Sequence, residues 1–146
     1  LNQVEWGELD VLLIDLPPGT GDVQLTLSQK TDVTGAIIVS TPQDVALLDA
    51  RKAMNMFERL EVPMLGMIEN MSSYHCPKCG HEAHIFGHGG ARDDANKFGL
   101  PFLGEIPLEL EIREAGDGGT PIAATDSPHG KAYILIAQKI IDSGVL

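Results

Sequence analysis

Apolar residues gather along this chain in short runs, unbroken at Val11–Ile14 and Ala36–Val39, with Gly66 inside Met64–Ile68 and Gly104 and Glu105 inside Phe102–Ile106. The first two, rich in Val, Ile and Leu and without polar alternation, suit strands covered on both faces. Together the four predict strands at Val11–Asp15, Ala36–Ser40, Met64–Glu69 and Phe102–Ile106. Between them the spacing lengthens to three or four residues. Ala46, Leu47, Ala50, Met54 and Phe57 share one face of a helix over Val45–Leu60. Thr41-Pro42-Gln43-Asp44 opens that helix, with Asp44 at the positive end of its dipole. Further helices are predicted at Val23–Gln29, Ala91–Phe98 and Lys131–Ile141, with Gly99 and Pro101 stopping the one at Ala91–Phe98. Glu114–His129 reads as a long polar loop. The alternation predicts an α/β fold in one domain over residues 1–146, with a doubly wound, mostly parallel sheet and Val11–Asp15 at its centre.

Composition narrows the classes. The chain has 146 residues, 43% of them hydrophobic, enough for a real core. No run approaches the length of a membrane span. A formal charge of −11 would repel phosphates, which argues against nucleic acid and anionic membranes as partners. There are two cysteines, spaced C-x-x-C. In a cytoplasmic chain, the expected location, that spacing points to metal or redox chemistry before a structural disulfide.

The segment Asp10-Val-Leu-Leu-Ile-Asp15-Leu-Pro-Pro-Gly-Thr-Gly-Asp22 carries the densest chemistry. Asp15 closes an apolar run at the edge where parallel sheets keep their ligand crevice. A carboxylate there can hold Mg²⁺, usually through water. Gly19 and Gly21 allow backbone N–H groups to approach an anion, and Asp22 can cap the helix that follows. The plainer reading is a buried strand ending in a tight turn.

Cys76-Pro77-Lys78-Cys79 lies between a strand and a helix and can place two thiolates on one metal or cluster. Two ordinary thiols, or a redox-active disulfide, would have the same spacing. Cys76, Cys79, His84 and His88 also approach a compact Cys₂His₂ zinc-knuckle spacing, although such knuckles usually serve nucleic acid. A [4Fe–4S] cluster takes four thiolates. Two copies related by a two-fold axis would supply them.

Six motifs in order resemble the C-terminal part of the Mrp, or ApbC-like, iron–sulfur cluster carriers, P-loop ATPases related to MinD and to the nitrogenase iron protein. They are Asp15-Leu-Pro-Pro-Gly-Thr-Gly-Asp22, Ser40-Thr-Pro-Gln-Asp44, Glu69-Asn-Met-Ser72, Cys76-Pro-Lys-Cys79, Phe86-Gly-His-Gly-Gly90 and Leu103-Gly-Glu-Ile-Pro107. The resemblance implies a sheet of the P-loop NTPase type. It implies a labile [4Fe–4S] cluster bridged across a homodimer by Cys76 and Cys79 and delivered to apo iron–sulfur proteins, with cluster-assembly factors as further partners. It also implies ATP and Mg²⁺, with Asp15 in the Mg²⁺-associated role, Gly19 toward the terminal phosphate, and Asn70, Pro107 and Leu108 beside adenine. For Asn70 an Asx turn is the plainer role, and for Pro107 a simple turn.

No G-x-x-x-x-G-K-[ST] occurs, and Gly130-Lys131 is followed by Ala132. The expectation is the C-terminal part of an ATP-binding domain, incomplete at its N-terminus, with little or no ATP hydrolysis of its own. The alternative is a non-enzymatic zinc-binding or scaffold module that keeps the fold and uses no nucleotide.

Overall fold

Three of the four apolar runs form one parallel sheet. The structure is a computed structural model and describes residues 3–145. Its elements run α1 (Asp22–Lys30), β1 (Ala36–Ser40), α2 (Asp44–Arg59), β2 (Met64–Asn70), β3 (Tyr74–His75), β4 (Glu82–Ala83), α3 (Gly90–Phe98), β5 (Phe102–Ile106), α4 (Leu110–Asp117), a 3₁₀ turn at Ile122–Ala124, and α5 (Pro128–Asp142). The sheet order is β1-β2-β5, and β3 and β4 form a separate antiparallel hairpin.

Because side chains alternate along a strand, each face of the sheet collects its own core. Ile38 and Met67 join Leu47, Ala50, Met54 and Phe57 of α2 and Ala91 and Ala95 of α3. Ile37 and Ile68 point the other way, toward a cluster built on Leu103, Ile106 and Ile136 of α5. Helices therefore cover both faces, as the apolar runs require. Arg51 of α2 ties the first helical layer together. Its Nε and Nη2 donate to the two carboxylate oxygens of buried Asp94 on α3, at 2.7 and 2.9 Å. This fork-to-fork geometry is the strong form of an ion pair.

The structure corrects three expectations. Residues 11–15 form no strand, and the centre of the sheet is β2. Val11, Leu12 and Ile14 are exposed, and Leu13 is 83% exposed. A strand is stable only as a ladder member, and among the described residues no strand edge pairs with this segment. Leu16, just beyond it, does reach the core. Asp22 does not cap α1: Gly21 is the N-cap, and Asp22 sits in the first turn without a side-chain capping bond. The stretch 114–129 is not one loop either. It holds the end of α4, the 3₁₀ turn and the start of α5. Ser127 caps α5 by accepting from Gly130 N at 2.9 Å, with Pro128 at the first helical position. That Ser-Pro start is a readable signal.

Gly130 is where α5 meets the 3₁₀ turn. A Cβ there would lie 2.5 Å from Ile122 O and 2.7 Å from Thr125 O, both backbone atoms. Gly130→Ala should therefore destabilise the intact protein by about 2–3 kcal/mol. Denaturant unfolding followed by circular dichroism checks this, and an unchanged midpoint would refute the close approach.

Candidate functional site: a cysteine hairpin at the carboxyl edge of the sheet

The register places Asn70, the last residue of β2, opposite Ile106, the last of β5. Asn70, Pro107 and Leu108 therefore emerge together at the carboxyl edge, where open α/β sheets bind ligands. The Asn70 side chain bonds the N–H of the next residue, not the one two residues on that an Asx turn uses. Its Oδ1 accepts from Met71 N at 3.0 Å, and Met71 has a φ of 57°, so the chain turns sharply out of the sheet.

The cysteines follow at once. Ser72 N donates to Ile106 O at 3.1 Å and Leu108 N to Ser73 O at 2.7 Å, which sews the outgoing limb to the end of β5. β3 and β4 then pair through Tyr74–Ala83 and His75–Glu82. The turn between them carries Cys76-Pro77-Lys78-Cys79. Cys76 N donates to His81 O at 2.9 Å, and Gly80 N to Cys76 O at 2.8 Å. Both thiols are free, with Cys76 half-buried and Cys79 exposed. The Lys78 backbone N–H, then the Cys79 backbone N–H and the Cys79 thiol, hold the Cys76 thiol below its ordinary value. Hydrogen bonds of that kind favour the thiolate, the form that binds metal. In Cys79→Ser the two backbone N–H groups remain. The pH midpoint for alkylation of Cys76 should then lie below that of a free cysteine, measured by iodoacetamide labelling across pH. A midpoint at or above the free value would contradict this turn geometry.

The histidines are engaged elsewhere. His75 Nδ1 lies 2.9 Å from Glu109 Oε1, and His84 Nδ1 lies 3.0 Å from Ser72 O. The His84 and His88 rings stack at 4.4 Å. Among the described residues, one trio of His, Cys, Asp or Glu brings its ligand atoms within 4.8 Å of one another. It is Glu69, His88 and Glu105, and it includes neither cysteine. The four residues of the zinc-knuckle spacing are thus not gathered into one ligand set.

Asp15 and Gly19 lie on the loop before α1, outside the sheet ladder. Both are exposed, and Gly19 has a φ of 93°, a conformation that suits glycine. Buried Gln24 of α1 fixes this loop, donating from Nε2 to Pro17 O at 2.6 Å and to Gly19 O at 3.1 Å. Sequence reasoning missed Gln24 and Glu69. The available signal for Glu69 was a charge placed inside an otherwise apolar strand. For Gln24 it was a polar residue beside Leu25 on the inner side of a short helix.

No helix among the described residues is long and apolar enough to cross a membrane. Residues 1–141 match the family described as the ParA, NUBPL iron-transfer P-loop NTPases. The iron-sulfur cluster transfer protein NUBPL of Dictyostelium discoideum is 54% identical over 143 residues, which are 97% of this chain and 44% of that protein. The iron-sulfur cluster carrier protein of Pyrococcus furiosus is 50% identical over 143 residues, 97% of this chain and 48% of that protein. Among solved structures, a nucleotide-binding protein of Archaeoglobus fulgidus in complex with ADP, with cobalt found in it, superposes with a TM-score of 0.71 at 42% identity. The match covers 85% of this chain and 50% of that one. The chain thus spans about half the length of the curated relatives it matches. With its parallel sheet, its covering helices and its C-x-x-C turn, the chain belongs to the NUBPL iron-transfer P-loop NTPase family, the iron–sulfur cluster carriers.

Proposed function

We propose that this chain is the cluster-bearing part of an ATP-dependent carrier, which binds a labile [4Fe–4S] cluster between two copies and delivers it to apo iron–sulfur proteins. The observation that carries the reading is the turn at Cys76–Cys79. It presents two free sulfurs at the tip of a hairpin, one of them biased toward thiolate. Two sulfurs per chain are half a cluster's ligand set, and a second copy supplies the rest. A cluster held at an exposed hairpin tip, shared between chains, is open to attack by an acceptor's thiolates. That accessibility suits cargo. A soluble, cytoplasmic homodimer acting on apo iron–sulfur proteins and assembly factors completes this reading.

The nucleotide belongs to the same reading. Asp15 is an exposed carboxylate whose hard oxygens suit Mg²⁺, held directly or through water. Bound there, Mg²⁺ would neutralise charge on the phosphates of ATP. Gly19 offers its N–H from a loop that Gln24 keeps in place. Asn70, Pro107 and Leu108, together at the carboxyl edge of the sheet, are the candidate wall for the adenine. The Asn70 amide nitrogen is the donor that a base edge would meet.

Anaerobic reconstitution of the intact protein with iron and sulfide tests the proposal. Four irons and four sulfides per dimer, a broad visible absorption band and cluster-linked dimerisation are expected. His84→Ala and His88→Ala should leave these intact, because their ring nitrogens are not part of the thiolate set. One colourless zinc per monomer, lost in either histidine variant, would replace the carrier reading with the zinc module.

A further inference from the structure

We infer that Glu69 is a positioning residue for the cysteine hairpin, an inference that rests on the carrier reading for its functional meaning. Glu69 is fully buried, one residue before the end of β2. Burying a carboxylate is costly unless its oxygens are matched. Here they are. Oε1 accepts from Gly89 N and Oε2 from Ala91 N, both at 2.8 Å. These donors lie at the N-terminus of α3, the positive end of the helix dipole.

The two bonds span 20 and 22 residues. The chain between them is the excursion that carries Cys76 and Cys79. Its outgoing limb is sewn to β5 through Ser72 and Ser73. Its returning limb is held by His84 to Ser72 O and, where it re-enters the fold, by Glu69. Gly90 makes that re-entry point firm. A Cβ there would lie 2.6 Å from Leu47 Cδ1 and 2.9 Å from Pro42 O, so α3 begins pressed against the start of α2. The packing of α3 on α2 has its own tie in Arg51–Asp94. The Glu69 bonds are thus specific to where the hairpin returns, and so to where the thiols are presented.

The trio of Glu69, His88 and Glu105 also invites a metal. However, both Glu69 oxygens already take N–H donors, and Glu105 pairs with Arg92. The group acts as a hydrogen-bonded clamp.

Glu69→Gln in the intact protein tests the inference. The amide keeps one acceptor and sets an N–H₂ against the other backbone N–H. Release of the reconstituted cluster to an iron chelator should accelerate roughly 10-fold, the scale of losses when groups that orient metal ligands are removed. Arg51→Met is the control. It loosens α3 without touching the hairpin, so it should lower Tm while leaving the release rate within about twofold of wild type. Equal release by wild type and Glu69→Gln, or equal acceleration in both variants, would overturn the inference.

Hydrogen exchange in the cluster-free protein gives an independent reading. In wild type the Gly89 and Ala91 amides should be protected like those of β2. Glu69→Gln should speed exchange across residues 76–89, and Arg51→Met should not. Unprotected Gly89 and Ala91 amides in wild type would overturn the clamp even if Glu69→Gln does not fold. A wild type that takes no cluster while the exchange pattern holds would remove the carrier reading and leave the clamp standing.

Discussion

Replacing either Cys76 or Cys79 with Ser in the intact protein should abolish the cluster and the cluster-linked dimer together. Each chain brings two sulfurs, so one substitution per chain removes two of the four thiolates from the assembled site. A serine hydroxyl at neutral pH is a poor replacement for a thiolate that backbone N–H groups already stabilise. The fold should be unaffected, because Cys79 is exposed and Cys76 half-buried at a hairpin tip away from both core clusters. Iron and sulfide content, visible absorbance and sedimentation of wild type and both variants check this. Retention of a full cluster by either variant would place its ligands elsewhere in the chain.

The second large effect concerns Asp15. Asp15→Asn in a full-length version that includes a P-loop should lower Mg²⁺-dependent ATP turnover by roughly 10–100-fold, the range seen when a group organising a metal site is lost. It should leave Tm nearly unchanged. Asp15 is exposed, and the loop around it is anchored by other groups: Leu16 in the core, and Pro17 and Gly19 held by Gln24. A steady-state ATPase assay at varied Mg²⁺, paired with a melting curve, separates the two effects. Unchanged turnover would remove Asp15 from the nucleotide site. A large fall in Tm would mean that its carboxylate has a structural role instead.

The proposed adenine wall and the cysteine hairpin meet in one strip of backbone. Asn70, Pro107 and Leu108 leave the sheet edge together, and the same strip is bonded to Ser72 and Ser73 at the root of the cysteine hairpin. Glu109, just after it, approaches His75 beside Cys76. A shift at this proposed adenine wall would therefore reach the hairpin through bonds of 2.7–3.1 Å, with no long relay between them.

The strands β1, β2 and β5 were legible because short, largely apolar runs suit little else at that length. Helix α2 was legible because five apolar positions repeat at helical spacing above an acidic start. The cysteine pair, its spacing and the family were legible as local strings. Two features were not. Residues 11–15 have the local pattern of a buried strand, but a ladder needs a neighbour, and pairing is a property of the assembled sheet. The start of α5 lay in a polar stretch that reads as loop although Ser127-Pro128 marks it, and the close seat of Gly130 against the 3₁₀ turn is decided only once that turn is packed there. Sequence alone determined that this chain is α/β, acidic and equipped with two cysteines in one turn, since each of these is set by composition or by neighbours along the chain. Only the tertiary structure decided that Glu69 reaches Gly89 and Ala91, that Arg51 grips Asp94, and that His84 turns to Ser72 O. Each of those partnerships joins residues distant in sequence, and their energies depend on burial and aim that no local pattern encodes.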